Sequence, residues 1–267
     1  MTVSSSARRP PAMTELWRFR YLLRSLVVRN LKVKYQRSML GFLWTLLNPA
    51  LTIAVLIAVF SYVIRMGMEH YWAFLLSGFF AWNFIAQMLY AGITILAEHA
   101  TLRRSVAFPT ELLIFGAGAS RLFEFFIELA IALVLLAVFH FGRVPASFLL
   151  LPLLILLQLL VAVGFSMIVA TLAVFYRDAE HALPVVFLVL FYLSPVFYPA
   201  SLVPEAVRTV YLANPIAGLL TLYHAVLYHG ELPPAGLIAW VTVAAVALYA
   251  IGYGVFNRGK AASIEIA

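Results

Sequence analysis

The amino-acid sequence predicts an all-α integral membrane protein. It has six transmembrane helices, an amphipathic interface helix ahead of them, and a re-entrant helical hairpin before the last span. Three observations lead there. Of 267 residues, 64% are hydrophobic and 11% charged; a soluble domain is about a quarter charged, and so little polar surface could not cover a globule of this length. The apolar residues gather into charge-poor runs of membrane-crossing length, about 20 residues of helix for a hydrocarbon core of ~30 Å. The 18 Lys and Arg fall almost wholly on one side of those runs. The chain has no Cys, which excludes disulfides, thiolate metal sites and a cysteine nucleophile. Its +7 net charge is set by topology and is not a nucleic-acid footprint.

The elements follow in order. Residues 1–12, MTVSSSARRPPA, are small, polar and proline-containing, and read as a disordered tail. They do not read as a secretory signal, because the first long apolar run comes too late for one. Residues 13–38 form the interface helix. Leu16, Phe19, Leu23, Leu26 and Val33 keep helical spacing, broken by Asn30, while Arg18, Ser25, Arg29, Lys32 and Gln36 share another face. Such a basic, aromatic-containing amphipathic helix lies in a membrane interface; the plainer alternative is a solvated juxtamembrane segment. Six spans then fill a transmembrane domain at 39–258, at about 43–64, 71–97, 112–139, 147–175, 182–199 and 234–256. Between the last two, residues 203–230 carry an apolar stretch broken by Asn214-Pro215 into halves too short to cross, hence a hairpin. Residues 259–267 form a short tail.

With six spans, 14 of the Lys and Arg fall on the side of the termini, including Lys32, Lys34, Arg37, Arg103, Arg104, Arg177, Arg258 and Lys260, against three, Arg65, Arg143 and Arg208, on the other. The positive-inside rule places both termini in the cytoplasm. A seventh span within 203–230 would carry the basic tail outside.

Several motifs invite a chemical reading. Gly254 to Lys260 fits G-x-x-x-x-G-K, but Ala261 stands where a phosphate loop needs Ser or Thr, and the motif follows an apolar helix instead of a strand. It reads as a helix end with a basic anchor, so the chain has no ATP site of its own. Arg121, Glu124 and Glu128 lie at i, i+3 and i+7 inside the third span. Charges there cost at least about 2.5–3.5 kcal/mol each when isolated, so the three face protein, water or one another. They are either an Arg121–Glu124 packing pair, with Glu128 reaching another helix, or a proton relay or polar channel lining. The loop after the fourth span reads FYRDAEH, and its Tyr176, Arg177, Asp178, Glu180 and His181 form either an ordinary polar turn or a docking knob for a partner. The fifth span ends in FYLSPVFYP, where Pro195 must bend or end the helix. Tyr192, Phe197 and Tyr198, with Trp82, Phe84 and Tyr90 in the second span, are either interfacial aromatics or stacking platforms for sugar rings in a channel. No metal-ligand spacing or Ser-His-Asp arrangement stands out.

Taken in order, "LGFLWTLLNP" (Leu40 to Pro49), "RRSVAFPTELL" (Arg103 to Leu113), "VFYRDAEHALPV" (Val174 to Val185) and "LSPVFYP" with "ANPI" after it resemble the membrane subunits of polysaccharide-exporting ABC transporters. The "LGFLW…NP" form is closer to the O-antigen and teichoic-acid branch than to the capsule branch. The resemblance runs from Leu16 to about Phe256.

That resemblance implies a homodimer in the bacterial inner membrane, bound on its cytoplasmic side by two ATP-binding-cassette subunits that hold the ATP and magnesium. The cargo it implies is an undecaprenyl-pyrophosphate-linked polysaccharide. Tyr176 to His181 then match the coupling helix, with Arg177 and Asp178 foremost, and Arg18 to Arg37, with Arg29, Lys32 and Lys34, match the interface helix. Arg103 to Glu111 match a cytoplasmic gate, where Arg103 and Arg104 suit a pyrophosphate because guanidinium pairs bidentately with phosphate oxygens. Asn214-Pro215 matches the periplasmic re-entrant helices. The short tail after Lys260 departs from the family's strongly basic end. Competing expectations are a drug or lipid exporter permease on the same fold, and an ion-coupled carrier using Glu124 or Glu128. A membrane glycosyl- or phosphotransferase would carry acidic metal ligands in a loop, and none is found.

Overall fold

The computed structural model describes residues 19–35, 40–41, 43–105, 108–139, 145–176 and 178–266, with the backbone alone at 35, 103–105, 139 and 260–266. Every element among the described residues is helical. In chain order they are α1 (Arg20–Tyr35), α2 (Leu43–Ile57, continued by a π-helical turn at Ala58–Val63), α3 (Tyr71–Glu98), α4 (Ala100–Ser105) and α5 (Glu111–Phe139). After them come α6 (Leu151–Phe175, entered through a 3-10 turn at Ala146–Leu150), α7 (Ala179–Tyr192), α8 (Glu205–Ala213), α9 (Pro215–Tyr223, with a π-helical extension at His224–His229) and α10 (Ala235–Ile266).

Four segments are long and apolar enough to cross a membrane: Leu43–Val63, Tyr71–Glu98, Ala146–Phe175 and Ala235–Gly259. The pair Glu205–Ala213 and Pro215–His229 makes a possible fifth, but it is bent by 99°. Asn214 makes that corner. Its side-chain oxygen accepts the Ile216 amide at 3.0 Å, and Pro215 at the first helical position has no amide to satisfy. The expected third span coincides with α5, whose 29 residues reach about 43 Å but carry the three charges. The expected fifth span, 182–199, is shorter here. Its helix α7 stops at Tyr192, because the residue before Pro195 is steered out of the helical region and the proline adds no donor.

The axis of the bundle is α3. Its most apolar window is 67% buried, against 17% for those of α2 and α10, and Phe74, Leu75, Ile85, Met88 and Leu89 are sealed inside. On one flank α6 and α10 cross backbone to backbone. A Cβ on Gly164 would lie 2.8 Å from the Leu248 carbonyl oxygen, and one on Gly252 would run into Gly164. Without a hydrophobic force between helices in lipid, such close small-residue crossings supply the contact.

On the other flank α1 lies along the first half of α5 with a constant offset. Leu26 sits over Gly116, where a Cβ would come within 3.1 Å of it. Asn30 donates to Ser120 at 3.5 Å, and Lys34 reaches Glu124. Positions i, i+4 and i+8 of one helix thus meet the same series on the other, so the two run parallel. Asn30, the break in the apolar spacing, is where this seam turns polar. Val33, expected on the apolar face, is 65% exposed, because the seam follows Leu26, Asn30 and Lys34 instead.

Candidate functional site

The sequence-predicted charges of α5 meet a partner from far along the chain. The Lys34 ammonium donates to both Glu124 oxygens at 2.9 Å, and Arg121 donates to the same carboxylate from one turn away. Glu124 is 3% exposed and Glu128 2%. The second carboxylate accepts from Asn83 of α3 at 3.5 Å, and Gln87 donates to Asn83 at 3.1 Å. Two cations therefore converge on the single carboxylate of Glu124, the pairing that makes a buried charge tolerable, while Glu128 meets the Asn83 amide beside them and ties α3 to α5. Burial, and after it the Arg121 charge, push the Lys34 ammonium down from 10.5 against the pull of Glu124. Lys34 carried no sequence signal for this role beyond its place two turns after Leu26. Asn83 and Gln87 were missed altogether, although a polar i, i+4 pair inside an apolar span was the available clue.

The loop between α6 and α7 stands proud of the bundle. Tyr176, Asp178, Glu180 and His181 are all exposed. The turn is shaped by the Ala179 amide donating to the Tyr176 carbonyl at 3.0 Å and by the His181 and Ala182 amides donating to that of Asp178 at 3.1 and 3.0 Å. Asp178 is the N-cap residue, yet its carboxylate caps nothing and is left outward. Arg177 and Arg18 lie outside the described residues. On α1 Arg29 and Lys32 are exposed. Arg103 and Arg104 fall in α4, immediately after α3, where only the backbone is described. Glu111, which closes the segment beginning at Arg103, is 1% exposed in the first turn of α5.

The six singled-out aromatics divide. Phe84 is buried against Phe125, ring centres 5.6 Å apart, and Trp82 against Phe191 at 5.4 Å. Phe197 is 8% exposed, with its carbonyl accepting the Tyr71 hydroxyl at 2.6 Å. Tyr198 donates to the Tyr192 carbonyl at 2.7 Å. Tyr90 and Tyr192 alone among the six are broadly exposed, at 47% and 57%. Trp82 and Phe197 thus join the end of α7 to α3, Phe84 joins α3 to α5, and Tyr90 and Tyr192 keep the most open surface of the six.

A further knot pins the hairpin. His224, 5% exposed, stacks on Phe74 with ring centres 4.0 Å apart. Its Nε2 donates to the Pro195 carbonyl at 2.7 Å, since a carbonyl can only accept, and its Nδ1 takes the Ser77 hydroxyl at 2.7 Å. Gly78 leaves room for the ring, because a Cβ there would lie 2.6 Å from it.

A bundle with a buried axis, two flanking helices left largely uncovered, a bent apolar pair and an outward polar turn defines a multi-pass membrane protein. The chain belongs to the ABC-2 type transporter family, whose sequence profile matches residues 21–228. It is 34% identical over 240 residues to the O-antigen export system permease protein RfbA of Myxococcus xanthus, spanning 88% of this chain and 92% of that one. Against a Klebsiella pneumoniae protein of the same name it is 27% identical over 251 residues, 92% and 96% of the two chains. The polysialic acid transport protein KpsM of Escherichia coli is 21% identical over 248 residues, 90% and 94%.

Proposed function

We propose that the chain is the membrane-spanning permease subunit of an ATP-driven exporter that moves a lipid-linked polysaccharide of O-antigen type across the bacterial inner membrane. The observation that carries this is similarity over nearly the whole length of both chains to O-antigen export permeases, at 34% identity in one case. On this reading the subunit is not an enzyme. ATP and magnesium belong to two separate ATP-binding-cassette subunits, and two copies of this chain enclose the passage. The six spans are α2, α3, α5, α6, α7 and α10, with α8 and α9 as the re-entrant hairpin on the periplasmic side and α1 as the interface helix. Both termini are cytoplasmic, as the one-sided Lys and Arg distribution favours.

The parts then take the following roles. Tyr176, Arg177, Asp178, Glu180 and His181 receive the push of the ATPase, which suits a compact, exposed element carrying both signs. Arg103 and Arg104 meet the pyrophosphate of the carrier lipid. Tyr90 and Tyr192 are the aromatics with free surface on which a glycan slides. The ion network of Lys34, Arg121 and Glu124 holds the interface helix to the bundle, with Glu128 hydrogen-bonded to Asn83 beside it. The test is copurification of the ATPase with the membrane subunit. Asp178→Ala should weaken it several-fold while the permease dimer stays intact on size exclusion; unchanged copurification would remove the coupling assignment. Nucleotide-independent transport by the purified chain in proteoliposomes would overturn the proposal as a whole.

A further inference from the structure

A cavity of about 520 Å³ opens between the second half of α1, the last turns of α3 and the first half of α5, within the range of about 300–1,000 Å³ usual for ligand sites. Its cationic lining is Arg29, Lys34 and Arg121, against the carboxylates of Glu98 and Glu124. Lys34 and Arg121 share Glu124. Arg29 is exposed and enters no ion pair among the described residues. Leu31, Val33, Tyr90 and Ile95 give the same cavity an apolar wall.

The deciding group is His99, at the break between α3 and α4. It lines the cavity and is 6% exposed. Its Nδ1 lies 2.9 Å from the Ile95 carbonyl; a carbonyl only accepts, so Nδ1 carries the proton. Its Nε2 is buried with no hydrogen-bond partner among the described residues. In the neutral ring that atom holds a lone pair, and leaving it unmet in a buried place is unfavourable. It asks for a donor such as a hydroxyl. A surplus of positive charge beside it asks for an anion, and a greasy wall facing α1 asks for hydrocarbon.

We propose that this cavity holds the headgroup of an anionic, hydroxyl-bearing phospholipid of the phosphatidylglycerol class, drawn from the leaflet in which α1 lies. The Arg29 guanidinium takes the phosphodiester oxygens, with Lys34 and Arg121 behind it. A glycerol hydroxyl donates to His99 Nε2, and the first methylenes of the chains run along Val33 and Ile95. The site is built without Arg103 and Arg104, the residues offered above for the carrier pyrophosphate, of which only the backbone is described. It requires neither an ATPase nor a particular cargo, so its failure would leave the export reading standing.

The full-length chain, purified in mild detergent, is exposed to equal amounts of phosphatidylglycerol and phosphatidylethanolamine, and the retained lipid is counted by native mass spectrometry. Phosphatidylglycerol should be kept in preference by about tenfold, because phosphatidylethanolamine offers the same phosphodiester but brings an ammonium beside Arg29, Lys34 and Arg121. Arg29→Gln, on an exposed helix face, should bring the ratio down by about fivefold or more. His99→Asn, which keeps a donor for the Ile95 carbonyl and deletes Nε2, should do the same. Equal retention of the two lipids by the parent chain would overturn the proposal, as would an Arg29→Gln ratio unchanged from the parent. Two further arms separate the sources of phosphate. Inorganic phosphate displacing the lipid would show an ion site with no call for chains. A polyprenyl pyrophosphate displacing it, and losing that ability in the same variants, would give the cavity to the cargo. Either result would overturn a resident phospholipid.

Discussion

Gly252→Ala isolates the crossing of α6 and α10. The added methyl would lie 2.8 Å from the Gly164 carbonyl carbon and nearer still to its oxygen, whereas ordinary contact begins at 3.4 Å. The obstacle is backbone, which cannot swing aside, so the two helices must part by at least about 0.6 Å at the crossing. A radial gap of 0.5–1 Å forfeits roughly a quarter to a half of each dispersion contact it opens, and overpacking of this kind costs about 1–3 kcal/mol. Alanine returns up to about 1 kcal/mol through helix propensity, leaving a net loss of about 0–2 kcal/mol against the parent and about 1–3 kcal/mol against an alanine that meets no obstacle. Gly254, two residues on in the same helix, is the control, because a Cβ there meets nothing within 4 Å. Gly254→Ala should therefore be neutral, or stabilising by up to about 1 kcal/mol. Thermal unfolding of both variants in one detergent, followed by tryptophan fluorescence, measures the difference. At about 2–4 °C per kcal/mol for a chain of this size, Gly252→Ala should melt several degrees below Gly254→Ala. If it melts level with that control or above it, the backbone crossing described for α6 and α10 is wrong.

Two further perturbations address the other joints. A double-mutant cycle on Lys34→Met and Glu124→Gln should show a coupling of about 1 kcal/mol, discounted because the lysine is partly solvated; additive losses in unfolding midpoint would mean that α1 is not tied to α5 through this pair. His224→Phe keeps the stack on Phe74 but strands the Pro195 carbonyl, while the Ser77 hydroxyl retains the Phe74 carbonyl at 2.7 Å, for a loss of about 1–3 kcal/mol, and Gly78→Ala should reproduce much of that loss by displacing the ring. Parent-like melting of both variants would show that His224 does not pin the hairpin.

The charge-free runs at 43–64, 71–97, 147–175 and 234–256 were legible because length and hydropathy alone set them apart, and helices stand over each. Pro195 announced the end of α7 for an equally local reason. The seam between α1 and α5 could not be read. Leu26, Asn30 and Lys34 meet residues 90 positions away, and nothing local says that a basic residue on an interface helix will turn inward to a carboxylate in a span. Its trace was the polar Asn30 in an otherwise apolar spacing, repeated by Ser120 four residues before Glu124. The aromatics were ambiguous for a different reason: rings that pack a core and rings that line a passage have the same composition. Only position separates Phe84, sealed against Phe125, from Tyr90, left open.

Position also decides how a push on the 176–181 knob would travel, if the partner acts there. The knob joins two helices held very differently. Buried positions recur along α6, from Leu154 to Thr171, and its glycine crossing locks it to α10. Along α7 only Ala179 and Phe187 are buried, while Val185, Val186, Leu188, Val189 and Tyr192 are exposed. A load applied at their junction moves the element with fewer contacts to break, so α7 yields and α6 serves as the fixed side. The far end of α7 is not free. Phe191 and Phe197 pack with tilted rings, centres 5.3 Å apart, the Tyr71 hydroxyl holds the Phe197 carbonyl, and His224 holds the Pro195 carbonyl. A helix loose along its length and pinned at one end behaves as a lever. Its pin is shared with α3 through Tyr71 and with the bent pair α8–α9 through His224, so displacement at the 176–181 segment is delivered along α7 to that pair at its far end.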